Sequence, residues 1–294
     1  MPALEVRGVV KAYGTKVAVD SATFSVERGE IFGLLGPNGA GKSSLIRMIM
    51  DILRPDAGEI RVLDAPPGVN ERVAYLPEER GLYQRQRVGD VLLFLAELKG
   101  LERHVAERRV EQYLDRVGLL ETRKKRMREL SKGMQQKVQI AAVLLPEPQL
   151  MILDEPFEGL DPVNRVLITD LMKEFAAKGA TILLSSHRMD QVEEMCRSVF
   201  LMNKGKGVLS GEVREIKQRF ADNSVYLECD RDVSAHPAIA RVEKKGHAVR
   251  LWLKDGEPPE KFLAGLLAEG ATITRYERAL PSMDEVFVRV VKES

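Results

Sequence analysis

Gly36-Pro37-Asn38-Gly39-Ala40-Gly41-Lys42-Ser43 is the stretch on which the reading of this chain turns. Before it lies Ile31–Leu35, a short apolar run between glycines, the pattern of a strand buried on both faces. After it, Lys42–Met50 carries apolar residues at helical spacing. Strand, glycine-rich loop and helix are the context in which G-x-x-x-x-G-K-[ST] cradles phosphates. Small residues let backbone N–H groups turn inward, and the helix start adds its dipole. On that reading Gly36, Pro37, Asn38, Gly39, Ala40, Gly41 and Ser44 shape the cradle, Lys42 reaches the outer phosphates, and Ser43 offers a hydroxyl to Mg²⁺. Without those flanks the same residues would be an ordinary glycine-rich turn.

A second element complements the first. Leu150-Met151-Ile152-Leu153 is an apolar strand pattern that runs into Asp154-Glu155-Pro156. Two carboxylates at the C-terminal end of a buried strand sit where open α/β sheets bind ligands. Asp154 is placed to help hold Mg²⁺, and Glu155 to polarise an attacking water.

Outward from these two segments the chain alternates. Strands are expected at Leu4–Val10, Val17–Ser25, Ala180–Ser185 and Val199–Met202, and helices at Val163–Lys178 and Met189–Cys196. This alternation predicts an α/β core with a largely parallel sheet. Residues from about 85 to 145 read as mostly helical, an inserted subdomain. After Gly211 the character changes. Three strands (Ser224–Cys229, Ala248–Leu253, Ala271–Tyr276) and two helices (Pro258–Glu269, Pro281–Lys292) predict a small α+β domain over 213–294, behind a nucleotide-binding domain over 1–212. Trp252 is expected in that small core, and His236 and His247 at the surface.

Composition sets the outer limits. The 294 residues include 45 Lys plus Arg and 44 Asp plus Glu, a net charge of +1, so the whole-chain charge gives no reason to expect nucleic acid. The two cysteines, Cys196 and Cys229, have no CxxC spacing and fit a reducing compartment. No run approaches the ~18 apolar residues of a membrane-spanning helix. Met1-Pro2-Ala3-Leu4-Glu5 lacks the apolar core of a signal peptide. A membrane role would then come through a partner.

With both nucleotide elements placed, Leu130-Ser131-Lys132-Gly133-Met134 resembles the ABC signature, usually written LSGGQ. The chain over roughly residues 1–212 is similar to the ATP-binding subunits of ABC transporters. The resemblance implies a P-loop NTPase core of ABC type, ATP and Mg²⁺ as cofactors, a separate transmembrane permease subunit, and a cytoplasmic location for this chain, held at the cytoplasmic face of the membrane through that permease. It also implies a second nucleotide-binding subunit, whose ATP would meet Ser131, Lys132, Gly133 and Met134. Tyr13 would lie against adenine, Asp161 in Gly159-Leu160-Asp161-Pro162 at the subunit interface, and His187 beside the terminal phosphate. Glu78 stands where the family usually has the Q-loop glutamine, keeping an oxygen for Mg²⁺ while adding negative charge. Lys132 and Met134 also depart from LSGGQ. Leu76–Tyr83 and Pro281–Phe287 resemble the sodium- and drug-extrusion subgroup with a carboxyl-terminal appendage.

The resemblance further implies permease docking near Glu78 and Gly89–Lys99, where Arg80, Arg85 and Arg87 are either docking residues or a solvated basic loop. Two other function classes remain to be weighed. One is a soluble ABC ATPase acting in DNA repair or on the ribosome. Against it, the segment between Lys42 and Asp154 holds no heptad array or Cys cluster, and the chain has a single P-loop. The other is a nucleotide-gated regulator with little turnover, against which Glu155 and His187 speak and which Glu78 and Met134 leave open.

Overall fold

The computed structural model describes residues 1–68, 71–78, 81, 83–245 and 248–293. Arg80 and His247 fall outside the described residues. The strands are β1 (Leu4–Tyr13), β2 (Lys16–Val26), β3 (Ile31–Leu35), β4 (Ala57–Val62), β5 (Val73–Leu76), β6 (Leu150–Asp154), β7 (Thr181–Ser186), β8 (Ser198–Asn203), β9 (Lys206–Glu212), β10 (Ser224–Cys229), β11 (Ile239–Lys245), β12 (Ala248–Leu253) and β13 (Ile273–Arg278). The helices are α1 (Lys42–Ile49), α2 (Val88–Leu98), α3 (Arg103–Arg116), α4 (Lys132–Leu144), α5 (Pro162–Ala177), α6 (Met189–Met195), α7 (Val213–Arg219), α8 (Pro259–Ala268) and α9 (Met283–Glu293). The chain divides into two compact units, Met1–Glu212 and Val213–Glu293.

The first unit is of mixed α/β type. Its nine strands run in the order β4-β1-β2-β9-β8-β3-β7-β6-β5. The centre is parallel: β3 pairs with β7 and β8, and β6 with β5 and β7. Every residue of β3, β6 and β7 is buried, which is why these strands are dominated by unbroken apolar stretches and do not alternate, polar residues standing only at the ends of β6 and β7. One flank is antiparallel, with β1 between β2 and β4. There the in-out alternation that packs Leu4 and Val6 inward against Phe24, Ile60 and Val62 replaces the continuous run. Phe24 stacks on Phe32 and Phe200, tying this flank to the parallel centre.

Helices α2, α3 and α4 form the inserted helical part of this unit. Ser131 caps α4 by accepting from the Met134 N–H at 3.2 Å, and Asp161 caps α5 in the same way from the Asn164 N–H at 2.9 Å. Pro162 follows at the first helical position, where its missing N–H costs nothing.

The second unit has a four-stranded sheet in the order β11-β12-β10-β13. One sheet face packs Val225, Leu227, Leu251 and Leu253 against Phe262 and Leu266 of α8. Trp252 is not in that core. Strand alternation turns it to the other face, where its ring lies between the guanidinium groups of Arg241 and Arg250 and its Nε1–H donates to Asp222 at 2.9 Å. His236 is half-buried, edge-on to the Phe262 ring, and its Nδ1 accepts from the Ala238 N–H at 3.2 Å.

Candidate functional site: a nucleotide cavity

At the C-terminal ends of β3 and β6 opens a cavity of about 810 Å³. Tyr13, Asn38, Gly39, Ala40, Gly41, Lys42, Ser43, Ser44, Glu78, Asp154 and Glu155 all line it. The loop before α1 keeps its shape through glycine. Gly36 and Gly41 have φ of 149° and 110°. A Cβ on Gly36 would stand 2.3 Å from the Met202 carbonyl oxygen, and one on Gly41 2.2 Å from that of Ala18. No side chain caps α1 at Gly41, and its first turn holds no acidic residue. The first-turn amides therefore face the cavity as an anion seat.

Lys42 is the buried cation of the site. Its Nζ donates to the Gly36 carbonyl at 2.7 Å and the Pro37 carbonyl at 3.3 Å, and stands 3.9 Å from Glu155 Oε1. Burial pulls its pKa below the ordinary lysine value, while Glu155, Asp154 and Glu78 pull the other way. Glu78 is shifted upward, first by burial and then by the charges of Asp154, Glu158 and Glu155. Three phosphates' worth of charge would meet this ammonium and the loop amides, not bulk water.

Asp154 is held by a residue that sequence reasoning did not select. The β6–β7 register places Asp154 beside Ser185. The Ser185 hydroxyl donates to Asp154 Oδ1 at 2.5 Å and accepts from the Glu155 N–H at 3.1 Å. Glu155 has φ of 48°, a left-handed conformation that costs a non-glycine residue on the order of 1–3 kcal/mol. Held this way, its Oε1 lies 2.9 Å from His187 Nδ1. The weak signal was a pair of hydroxyls, Ser185 and Ser186, ending an otherwise apolar buried strand. Lys16, at the start of β2, and Lys204, at the turn between β8 and β9, also line the cavity and were not among the selected residues.

The remaining selected residues lie elsewhere. Ser131, Lys132, Gly133, Met134 and Asp161 do not line the cavity. Ser131 and Lys132 are exposed. The helix they begin is tied to the loop that follows Glu155: the Gln136 amide donates to the Pro156 carbonyl at 3.0 Å, and Gly133 packs so closely on Gly159 that a Cβ would stand 3.1 Å from its carbonyl oxygen.

Among the described residues no group of three or more His, Cys, Asp or Glu is arranged to hold a metal by itself. The cavity instead offers the Ser43 hydroxyl and the Asp154 and Glu78 carboxylates, hard oxygen donors that suit an ion sharing its shell with phosphate and water.

The comparisons with known proteins agree with this geometry. Residues 19–158 match the ABC transporter family model. The chain is 37% identical to the ABC transporter ATP-binding protein YhaQ of Bacillus subtilis strain 168, over 98% of each chain. The chain belongs to the ABC transporter ATP-binding proteins. Residues 211–291 of this ABC protein match the ATP-binding protein DrrA1-3-like C-terminal domain. It is also 33% identical to the Nod factor export ATP-binding protein I of Rhizobium sp. strain N33, over 98% of this chain and 96% of that one. A solved ATP-binding subunit of an ABC transporter superposes with a TM-score of 0.69 at 34% identity, covering 74% of this chain and 93% of the other. The chain is thus the ATPase subunit of a transporter complex that works with separate transmembrane subunits. Among its described residues no helix is long and apolar enough to cross a membrane.

Proposed function

We propose that this ATPase works as a head-to-tail pair, each ATP lying between Gly36–Ser44 of one subunit and Ser131–Met134 of the other. Tyr13, half-exposed at the rim, packs against the adenine. Two features support the pairing. Ser131 and Lys132 are exposed, Gly133 and Met134 are half-buried, and all four stand outside their own chain's cavity. Through Gln136 and Gly133 they are fixed to the loop that carries Glu155, so closure at one site is felt at the other. Asp161 caps α5 beside the same loop and lies at the subunit boundary.

Ser43, Asp154 and Glu78 hold Mg²⁺, which neutralises phosphate charge. Glu155 accepts the proton of the attacking water, and His187 keeps the Glu155 carboxylate oriented. Water oxygen bonds to the terminal phosphorus as the bond to ADP breaks. Lys42 and the loop amides carry the negative charge that moves onto the leaving oxygen. Loss of the terminal phosphate removes contacts that hold the pair closed, and reopening is passed to the permease.

The permease docks in an apolar groove of about 300 Å³ lined by Ala74, Tyr75, Leu76, Pro77, Leu95 and Leu98. The exposed Phe94 and Leu98 lie on the same helix, and Tyr83 stacks edge-on against Phe94. Exposed apolar side chains clustered beside a groove mark a protein interface. The complex sits on the cytoplasmic face of the membrane and exports its substrate, as the name of the Nod factor relative suggests.

The observation that carries this reading is the convergence of Lys42, Asp154, Glu155 and Glu78 with the glycine loop on one cavity. Glu155→Gln tests it: ATP turnover should fall at least ~100-fold with nucleotide still bound. Turnover within a few-fold of the parent would remove Glu155 from the base role.

A further inference from the structure

One surface of the helical part is out of keeping with the rest of the chain. The segment ahead of α2 and the segment ahead of α4 pair through Val88 N–H to the Lys125 carbonyl, Met127 N–H to that of Gln86, and Arg128 N–H to that of Gln84. This pairing sets Arg87 directly opposite Arg126 in an antiparallel bridge. Val88 and Met127 are fully buried, so the in-out alternation turns Arg87 and Arg126 to solvent. Arg85, Lys124, Lys125 and Arg128 are exposed beside them. None of these six cations has a carboxylate within ion-pair distance among the described residues.

The contrast decides what this means. The chain is close to electroneutral, and its other surface arginines are largely paired, as Arg28 is with Asp64, Arg109 with Glu147 and Arg197 with Glu212. Like charges directly opposite on paired strands destabilise the fold. Six unpaired cations, two of them opposed across a bridge, are a standing cost that an anionic surface would offset. Among the described residues the large apolar side chains exposed in these two segments are Tyr83, which stacks edge-on against Phe94, and Leu120; the six cations are not themselves gathered round an apolar centre of the kind a protein interface has. The patch meets the N-terminal end of α2, whose flank carries Phe94 and Leu98.

We propose that Arg85, Arg87, Lys124, Lys125, Arg126 and Arg128 form a membrane-contact patch for the headgroups of anionic phospholipids. This rests on the reading that the groove along α2 faces the permease, which turns the adjoining basic loops toward the leaflet. Guanidinium forks pair with phosphodiesters, and the attraction falls off within a Debye length, so contact is reversible and salt-sensitive. The patch holds the ATPase at the leaflet and fixes its tilt under the permease, leaving affinity for the permease itself to the apolar groove.

The test uses the purified full chain, without permease, and vesicles of phosphatidylcholine alone or mixed with phosphatidylglycerol. Co-flotation is expected with the anionic vesicles only, and should vanish at high salt. Arg87→Gln with Arg126→Gln should weaken partitioning roughly 20- to 30-fold, from the typical contribution of each cation near an anionic leaflet. The double variant should keep its ATPase rate and melting temperature, since neither residue lines the nucleotide cavity. Equal binding to both vesicle types, no binding at low salt, or undiminished partitioning of the variant would overturn the proposal. So would a variant that loses co-purification with the permease while the parent never binds vesicles, because the patch would then read an acidic protein surface. Groove variants such as Leu98→Asp report separately: loss of permease with lipid binding intact supports both readings. Permease retained with lipid binding intact sinks the groove reading alone.

Discussion

Replacing Ser185 with alanine removes one oxygen and undoes two contacts at once. Asp154, almost fully buried, loses a donor to its carboxylate, and the Glu155 N–H loses its acceptor. A hydrogen bond to a charged group contributes about 1.5–3 kcal/mol, and a buried donor left without a partner costs about 1–3 kcal/mol. The two effects share one hydroxyl and are not additive, so about 2–4 kcal/mol is expected. For a unit the size of Met1–Glu212 that lowers the melting temperature by roughly 5–15 °C. The kinetic effect has a separate origin. Glu155 is in a left-handed conformation that this contact helps hold, and its release lets the carboxylate drift from His187. A misplacement of about 1 Å can cost roughly 100-fold in rate. Steady-state ATPase assays at a temperature where the variant is folded should show kcat reduced ~30- to 100-fold. ADP affinity should stay within about threefold, because Gly36–Ser44 is untouched. Ser185→Thr, which keeps the hydroxyl on a strand, should recover most of the rate. A variant with parental Tm and kcat refutes the argument. A lower Tm with parental kcat reduces Ser185 to a folding role.

Three further outcomes follow from other parts of the molecule. Gly41→Ala must place a methyl 2.2 Å from the Ala18 carbonyl oxygen at φ of 110°, so equilibrium nucleotide binding should fall at least ~100-fold. Leu98→Asp should abolish co-purification with the permease while the isolated chain's ATPase rate stays within about twofold, since Leu98 lines the groove and not the nucleotide cavity. Asp222 gives a pH test. Burial pushes its carboxyl up, but hydrogen bonds from Ser224 and Trp252 and the charge of Arg250 outweigh that and hold it below the usual carboxylate value. A depressed acid contributes stability that is present above its unfolded pKa, about 3.9, and is lost as pH falls through the lower folded value. Fluorescence of Trp252, the single tryptophan, should therefore report unfolding of the carboxyl-terminal unit at acid pH. Asp222→Asn should flatten that dependence and destabilise the unit by about 1–3 kcal/mol at neutral pH.

The parallel centre of the sheet was readable because its strands are buried on both faces. Ile31–Leu35 and Leu150–Leu153 are apolar without interruption, as are Ile182–Leu184 of β7 and Val199–Met202 of β8. The helical character of residues 85–145 was readable from their apolar spacing, and the structure shows Ser131 capping α4 within that stretch. Strands β4, β5, β9 and β11 were not readable. β4 begins with exposed Ala57 and Gly58, β9 with exposed Lys206 and Gly207, and β5 is only four residues long. Such segments become strands because a neighbour offers a ladder, which no local pattern records. Trp252 was assigned to the wrong side of its strand for a related reason. Its neighbours Leu251 and Leu253 take the core face, and Arg241 and Arg250 give the indole a partner on the other.

At the nucleotide cavity the glycine loop and the two carboxylates stand in contiguous sequence, so their chemistry is legible. Ser185 lies on a separate strand and meets Asp154 only through the β6–β7 register. Lys16 reaches the cavity from the start of β2 and Lys204 from the turn between β8 and β9. None of the three belongs to a motif.

The head-to-tail pair is tested most directly by the mass in solution of the Glu155→Gln chain, measured by light scattering with and without MgATP. The account predicts a particle of twice the 32.9 kDa chain mass with MgATP, and single chains without it or after a further Ser131→Arg substitution. Single chains at saturating MgATP, or a pair that forms equally well without nucleotide and survives Ser131→Arg, would contradict it.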